Sequence, residues 1–388
     1  MLIYNANVVC LNDLIEQGAV YIQNGRVNRI LSHQELDSFL LKKPDLYSVN
    51  AGGAWLIPGF VDVHVHGGNG YDFMDATEES LLGISKFHAQ HGTTSMLATT
   101  VTSSKDNIEK VLKSVASFQE EIQPFAQVIG VHLEGPFISP NMPGAQNPNY
   151  IVPPNVNWMK EWTEIYPNIV KILTLAPEAD HAIEVIEYSL SQGIVIACGH
   201  SDGTYEEILR ATEAGLTHSV HMYNAMRGFH HREPGVAGNI LVNEGLSTEI
   251  IADGEHVHPV SIQLLTKLKN KDNLLLITDA MSAAGLGDGT YNLGGLEVVM
   301  KDNVARLKEG GNLAGSSLTM IEGFKYMVNT VGLSVSEASK LASYNPAKLL
   351  GLEYEVGSIR EGYQADLLLL TKDLEIEKVW KRGELIEF

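Results

Sequence analysis

The sequence predicts an α/β protein, a (β/α)8 TIM barrel carrying a small β-sandwich domain formed by the N- and C-terminal segments. Three observations predict it. Apolar, β-branched runs alternate with helical patterns through the middle of the chain, both ends read as hairpins, and metal-ligand residue types gather where the apolar runs stop. At 388 residues the chain can bury one large core and a smaller one.

The elements follow in order. Segments 2–9 and 18–31 read as strands, with Asn24-Gly25 as a type I′ turn, because both central residues of that turn need positive φ. Segments 357–370 and 376–388 look alike, with a turn at Arg382-Gly383. The small domain is therefore assigned to 1–54 and 357–388, and the barrel to 55–356. Barrel strands are expected at 60–66, 94–101, 127–135, 170–178, 194–201, 218–224, 247–256 and 273–281. Helices fall between them, such as 80–92 and 181–193, each closed by a glycine. A doubly wound open sheet competes, but no G-x-G-x-x-G follows the first strand, and eight units favour closure. The Pro- and Asn-rich loop 139–157 reads as a lid or crossover.

Composition narrows the partners. A net charge of −20 argues against nucleic acid, which needs clustered Lys and Arg. No stretch approaches the roughly 18 apolar residues of a membrane span. The first residues lack a basic region followed by an apolar core, and Cys10 and Cys198 offer no disulfide framework. A reducing cytoplasm is the expected location.

The strand ends carry the chemistry. In DVHVHGG (62–68), His64 and His66 share one face of a strand, which fits a metal or two ordinary histidines near a loop. The third strand ends in His132 and Glu134, the fifth in His200, and the sixth carries His218 and His221. The seventh ends in Asp253 and His256, and the eighth in Asp279. Active-site groups of a barrel belong at the C-terminal ends of its strands. Imidazole with carboxylate suits Zn, Fe, Co or Mn, and a carboxylate outside the ligand set can serve as general base in hydrolysis. No G-x-S-x-G and no Walker A loop offers another chemistry.

With these residues in view, the sequence resembles the amidohydrolase superfamily and, within it, the N-acetylglucosamine-6-phosphate deacetylase family. The motifs are PGFVDVHVHG, HLEGPF, GHS, HSVHMYNAM, REPGVAG, ADGEHV, TDAM, LAGS and NPAKLLGL followed by GSIREGYQADLLLL, nearly end to end. The resemblance implies a hydrolase that releases acetate from an amino-sugar 6-phosphate. It implies Glu134, His200 and His221 as principal metal ligands, Asp279 as the residue that moves the proton, and His64 and His66 as a second-metal pair. One or two divalent metals per subunit are expected. It further implies substrate contacts from Ala145, Gln146, Asn224, Ala225, His256, Leu313, Ala314 and Gly315, and a homodimer in which Arg232 reaches the neighbouring subunit's site. The lid departs from the family pattern: Pro143-Gly144-Ala145-Gln146-Asn147-Pro148 has Gln146 where a histidine is usual, so carbonyl polarisation falls to a neutral amide. A galacto-configured substrate or another amidohydrolase reaction stays open.

Lesser residues are placed as follows. His132 shares the face of Glu134 and either supports the site or sits in the core. His218 lies at odd spacing from His221 and is not expected as a ligand. His88, His91, His181 and His258 are expected to be solvated or packed, and Cys198 to be core filler.

Overall fold

The computed structural model describes residues 1–388. Eight parallel strands form the central sheet in sequential order: β1 (Phe60–Asp62), β2 (Thr93–Thr100), β3 (Gln127–Glu134), β4 (Val170–Leu175), β5 (Val195–Cys198), β6 (His218–Ser219), β7 (Ser247–Ile251) and β8 (Leu274–Ile277). The first and last strands meet just past their ends, where the Asp279 amide donates to the His64 carbonyl (2.8 Å) and the His66 amide to the Ala280 carbonyl (2.8 Å). The Thr278 hydroxyl adds a bond to Asp62, at 2.5 Å. These bonds close the sheet into a barrel.

Strand alternation divides the apolar residues. Val61, Leu97, Ile172, Ala197, Ile251 and Ile277 share one buried cluster, while their neighbours Met96, Leu173, Ile196, Ile250 and Leu276 join a cluster of 64 residues shared with the helices. Helix Glu78–Gln90 starts at a Thr77–Ser80 capping box, and Gly92 (φ 90) follows it in a left-handed conformation. Helix Ala182–Ser191 ends alike at Gly193.

Segments from the two ends of the chain share one further sheet, in the order Glu384–Leu385, Ile376–Lys381, Leu367–Leu370, Trp55–Pro58, Leu2–Val9, Leu14–Gln23, Arg26–Leu31, with Ser48–Asn50 alongside Leu2–Val9. The Arg26–Leu31 edge curls back onto the segment leading into Leu367–Leu370: the Val27 amide donates to the Tyr363 carbonyl, and the Ala365 amide to that of Gly25. Val20, Val27, Leu56, Leu367 and Trp380 therefore enclose a common core. Both expected turns have positive φ at each central residue, Asn24-Gly25 and Arg382-Gly383.

Several features differ from the sequence reading. The first strand ends at Asp62, so His64 and His66 lie in the turn after it rather than on a strand face. Segment 218–224 is strand only at His218–Ser219, because His221, Tyr223 and Ala225 turn into positive φ. Residues 289–307 form a three-stranded antiparallel sheet, Gly289–Leu293, Leu296–Lys301 and Val304–Leu307, that periodicity did not announce. Its strands are short and mostly exposed, and of their own residues only Leu293, Val298, Met300 and Ala305 are buried. The chain contains no helix long and apolar enough to cross a membrane.

Candidate metal centre

The barrel brings the strand-end residues to one mouth. Glu134 ends β3 and is 2% exposed. Its Oε1 lies 3.0 Å from His221 Nε2, 3.1 Å from His200 Nε2 and 3.3 Å from His64 Nε2. Its Oε2 lies 3.3 Å from His66 Nε2, and Asp279 Oδ1 stands 3.2 Å from the same nitrogen. Four imidazoles and two carboxylates thus face a common point from the end of β3 and the turns after β1, β5, β6 and β8.

The outer nitrogens of these rings decide what the inner ones can do. Nδ1 of His66 meets the Thr99 carbonyl (3.2 Å), that of His200 the Met142 carbonyl (3.1 Å) and that of His221 the Asn224 carbonyl (3.2 Å). Carbonyls only accept, so each Nδ1 carries a proton, and Nε2 is a bare lone pair whenever the ring is neutral, as it must be to ligate a cation. His200 Nε2 and His221 Nε2 then face each other at 3.3 Å with Glu134 Oε1 beside both. Three converging lone pairs repel unless a cation lies among them. Ligand atoms about 2.0–2.2 Å from a tetrahedral ion stand roughly 3.3 Å apart, so the spacing fits. His64 Nε2, fully buried and without a hydrogen-bond partner, completes the case for a cation. The donor set could hold a divalent metal.

Electrostatics agrees with acid–base use. Burial alone would raise the Glu134 carboxyl, yet the His64, His200 and His221 imidazoles hold it well below the usual range. Burial opposes ionisation of Asp279 too, and His66 and His64 override it, so the pKa is lowered. Both are carboxylates at neutral pH. Non-glycine residues at His200 (φ 49), His221 (φ 28) and Asp279 (φ 51) adopt left-handed backbone, strain concentrated where ligand aim matters.

A cavity of about 520 Å³ opens over the cluster. It is lined by His66, Glu134, His200, His221 and Asp279, and by the expected substrate residues Ala145, Gln146, Asn224, Ala225, His256, Leu313 and Gly315. Ala314 does not line it; fully buried, it packs under the three-stranded sheet. Arg232 is exposed, its Nη1 against His231 Nε2, and it too stays outside the cavity of its own chain. His64 sits behind His66, out of solvent. Gln146 accepts from the Thr102 amide through Oε1 (2.6 Å) and donates through Nε2 to Glu134 Oε2 (2.5 Å), which leaves one Nε2 hydrogen for a ligand. Asp253 fixes His256 by an Nδ1 contact of 2.6 Å.

Among the remaining histidines, His132 packs on His64 (centroids 4.6 Å apart) and bonds Val63 and Thr174, so it supports the cluster from within the barrel. His218 turns away from Glu134 and toward Glu249. His88 is packed, its Nε2 against the Gly67 carbonyl.

Sequence reasoning passed over two residues. Glu249 lies mid-strand on β7, fully buried, with His64, His218 and His221 around it. The signal was a charge two positions before inward-facing Ile251, in an otherwise apolar strand. Arg306, on the last strand of the three-stranded sheet, is the one guanidinium lining the cavity within the chain. An unnoticed strand hid it.

Comparison with known proteins follows this geometry. The profile of the amidohydrolase family matches residues 55–386. An N-acetylglucosamine-6-phosphate deacetylase of Bacillus subtilis (strain 168) is 38% identical over 389 residues, spanning 99% of this chain and 96% of the relative. An N-acetylgalactosamine-6-phosphate deacetylase of Escherichia coli O157:H7 is 37% identical over 333 residues, 86% of this chain and 88% of its own. A mutant N-acetyl-D-glucosamine-6-phosphate deacetylase of Mycobacterium smegmatis, solved in complex with N-acetyl-D-glucosamine-6-phosphate, superposes with a TM-score of 0.91 at 32% identity, covering 100% and 99% of the two chains. The chain belongs to the amidohydrolase family and, within it, to the N-acetylglucosamine-6-phosphate deacetylases.

Proposed function

We propose that this member of the family hydrolyses the acetamide of N-acetyl-D-glucosamine 6-phosphate to acetate and D-glucosamine 6-phosphate. The observation that carries the reading is the Glu134 carboxylate ringed by four inward Nε2 atoms, with Asp279 beside it at the floor of the cavity. Glu134, His200 and His221 would hold one divalent cation, and His64, His66 and Asp279 border a second position that shares Glu134. Zn, Fe, Co or Mn all suit this donor set. When bound, the cation polarises the amide carbonyl and acidifies water.

The residues divide the remaining labour. Asp279, ionised at neutral pH, takes the proton of the attacking water as the C–O bond forms. It returns that proton to the amine nitrogen as the C–N bond breaks, so the amine departs neutral beside acetic acid, whose remaining proton then passes to the amine or to solvent to leave acetate. Gln146 offers its free Nε2 hydrogen to the developing oxyanion. Asn224, Ala225, His256, Leu313 and Gly315 position the sugar phosphate, and Ala314, buried beneath the cavity wall, anchors the loop that carries Leu313 and Gly315. Arg232 reads the phosphate of a neighbouring subunit in a homodimer, where a planar guanidinium gives two parallel hydrogen bonds. Its exposed position outside its own cavity supports that reading. The enzyme works in the cytoplasm, in keeping with two unpaired cysteines.

Acetate release from N-acetylglucosamine 6-phosphate, its galacto epimer and unphosphorylated N-acetylglucosamine, with metal analysis of the same sample, tests the proposal. Turnover led by the gluco phosphate is expected. Preference for the galacto phosphate shifts the assignment to that epimer, and turnover of neither phosphate overturns it.

A further inference from the structure

We propose that Glu249 is a positioning residue for the metal centre: it holds the His64 imidazole with Nδ1 protonated and Nε2 bare, and so sets the affinity of the His64/His66 cation position. The inference rests on the reading that this cluster holds cations.

His64 differs from the three rings around it. Those rings give Nδ1–H to backbone carbonyls, whereas His64 gives it to a carboxylate, Glu249 Oε2, at 2.8 Å. A charged acceptor makes a stronger bond and raises the basicity of the opposite nitrogen. The carboxylate is itself immobilised. Its Oε2 also accepts from the His221 amide (3.2 Å), and its Oε1 faces His218 Nε2 (3.1 Å), whose other nitrogen meets Ser247 Oγ at 2.7 Å. Glu249 and His64 are both fully buried, so no water can replace either partner.

The alternative tautomer shows why this matters. His64 Nε2 stands 3.3 Å from Glu134 Oε1 and 3.7 Å from Asp279 Oδ1. Without Glu249 the ring gains by placing its proton on Nε2, between those two carboxylates, where it occupies the space and the lone pair that a cation needs. Through the His221 amide the same carboxylate touches the turn that aims a ligand of the first position. Glu249 therefore ties the two halves of the centre together.

The test is retention of Zn²⁺ by the whole protein under graded chelator competition, with Co²⁺ absorption spectra as a second readout. Wild type should hold two equivalents. Glu249→Gln should lose one of them about ten- to a hundredfold more readily, as expected when the group orienting a metal-ligating histidine is lost. Glu249→Asp should recover part of the affinity, and His64→Ala with Glu249→Gln should lose no more than His64→Ala alone. Circular dichroism of each apoprotein controls for folding, and the Asp variant keeps the test open if the Gln variant does not fold. Glu249→Gln holding both equivalents with wild-type affinity, whatever its thermal stability, overturns the proposal. So does a wild type that binds one equivalent only. A wild type that binds none refutes the metal centre itself instead.

Discussion

Glu134, His200, His221 and Asp279 hang from the ends of parallel strands and are nearly sealed from solvent, while the wall opposite them is loop and small sheet. Asn141 to Gln146 come from the segment after β3, and Arg306, Asn312 and Leu313 from the hairpin region after β8. The sealed cluster has its hydrogen bonds fixed on every outward nitrogen, whereas the wall bonds across segments by single contacts such as Asn312 to the Gly144 carbonyl (3.1 Å) and Asn147 to the Gly294 carbonyl (3.1 Å). In the proposed function, reaction type belongs to the first region and choice of substrate to the second. A barrel can keep its chemistry while its loops change what it accepts.

Substitutions should separate the regions, beginning with the largest effect. Asp279→Asn removes the proton carrier and should lower kcat by about 10²–10⁴-fold while metal content by elemental analysis stays at the wild-type level; retained turnover breaks the division. Arg232→Ala should raise KM for the phosphorylated substrate by roughly ten- to a hundredfold, the value of a charge-assisted hydrogen bond, with little change for the unphosphorylated amide. Mixing the Arg232→Ala and Asp279→Asn proteins should restore activity if the arginine serves a neighbouring subunit, since one mixed site then has both groups. No restoration places the arginine in its own site.

Gln146 belongs to both regions, being a lid residue bonded to Glu134. Gln146→Ala should cost about tenfold in kcat/KM, and the split between kcat and KM shows which region it serves more. The smallest effect concerns stability. Burial lowers the His88 pKa to about 4, below the roughly 6.5 of an unfolded histidine. Protonation in acid therefore favours the unfolded chain, and its contribution should fall by about 1 kcal/mol by pH 5.5. Denaturant titrations should show that slope flattened in His88→Gln and unchanged above neutrality.

The sequence displays these two regions unequally. Buried parallel strands read as unbroken apolar runs, so a ligand at the end of each, such as Glu134 after VIGVHL or His200 after VIACG, stands out against them. The hairpin strands Gly289–Leu293 and Leu296–Lys301 bury few residues and look like loop, so Arg306 went unseen with them. His221 stood out by motif, although the strand expected over 218–224 ends at Ser219, two residues before it, where the chain turns through positive φ at His221, Tyr223 and Ala225. Glu249 was legible by alternation, but attention to strand ends passed over a charge in a strand's middle. Whether Arg232 serves its own cavity or a neighbouring subunit's is a matter of assembly, and spacing along one chain carries no record of it.

The curled sheet has a consequence for synthesis. Strand Trp55–Pro58 pairs on one side with Leu2–Val9 and on the other with Leu367–Leu370. A ribosome therefore makes one edge of that sheet some 300 residues before its mate, and the whole barrel is translated in between. Until Leu367–Leu370 emerges, that edge offers unsatisfied amides and carbonyls to any passing strand. A product that ends between Asp279 and Leu367 carries every residue of the cluster at the barrel mouth and still displays an open β-edge.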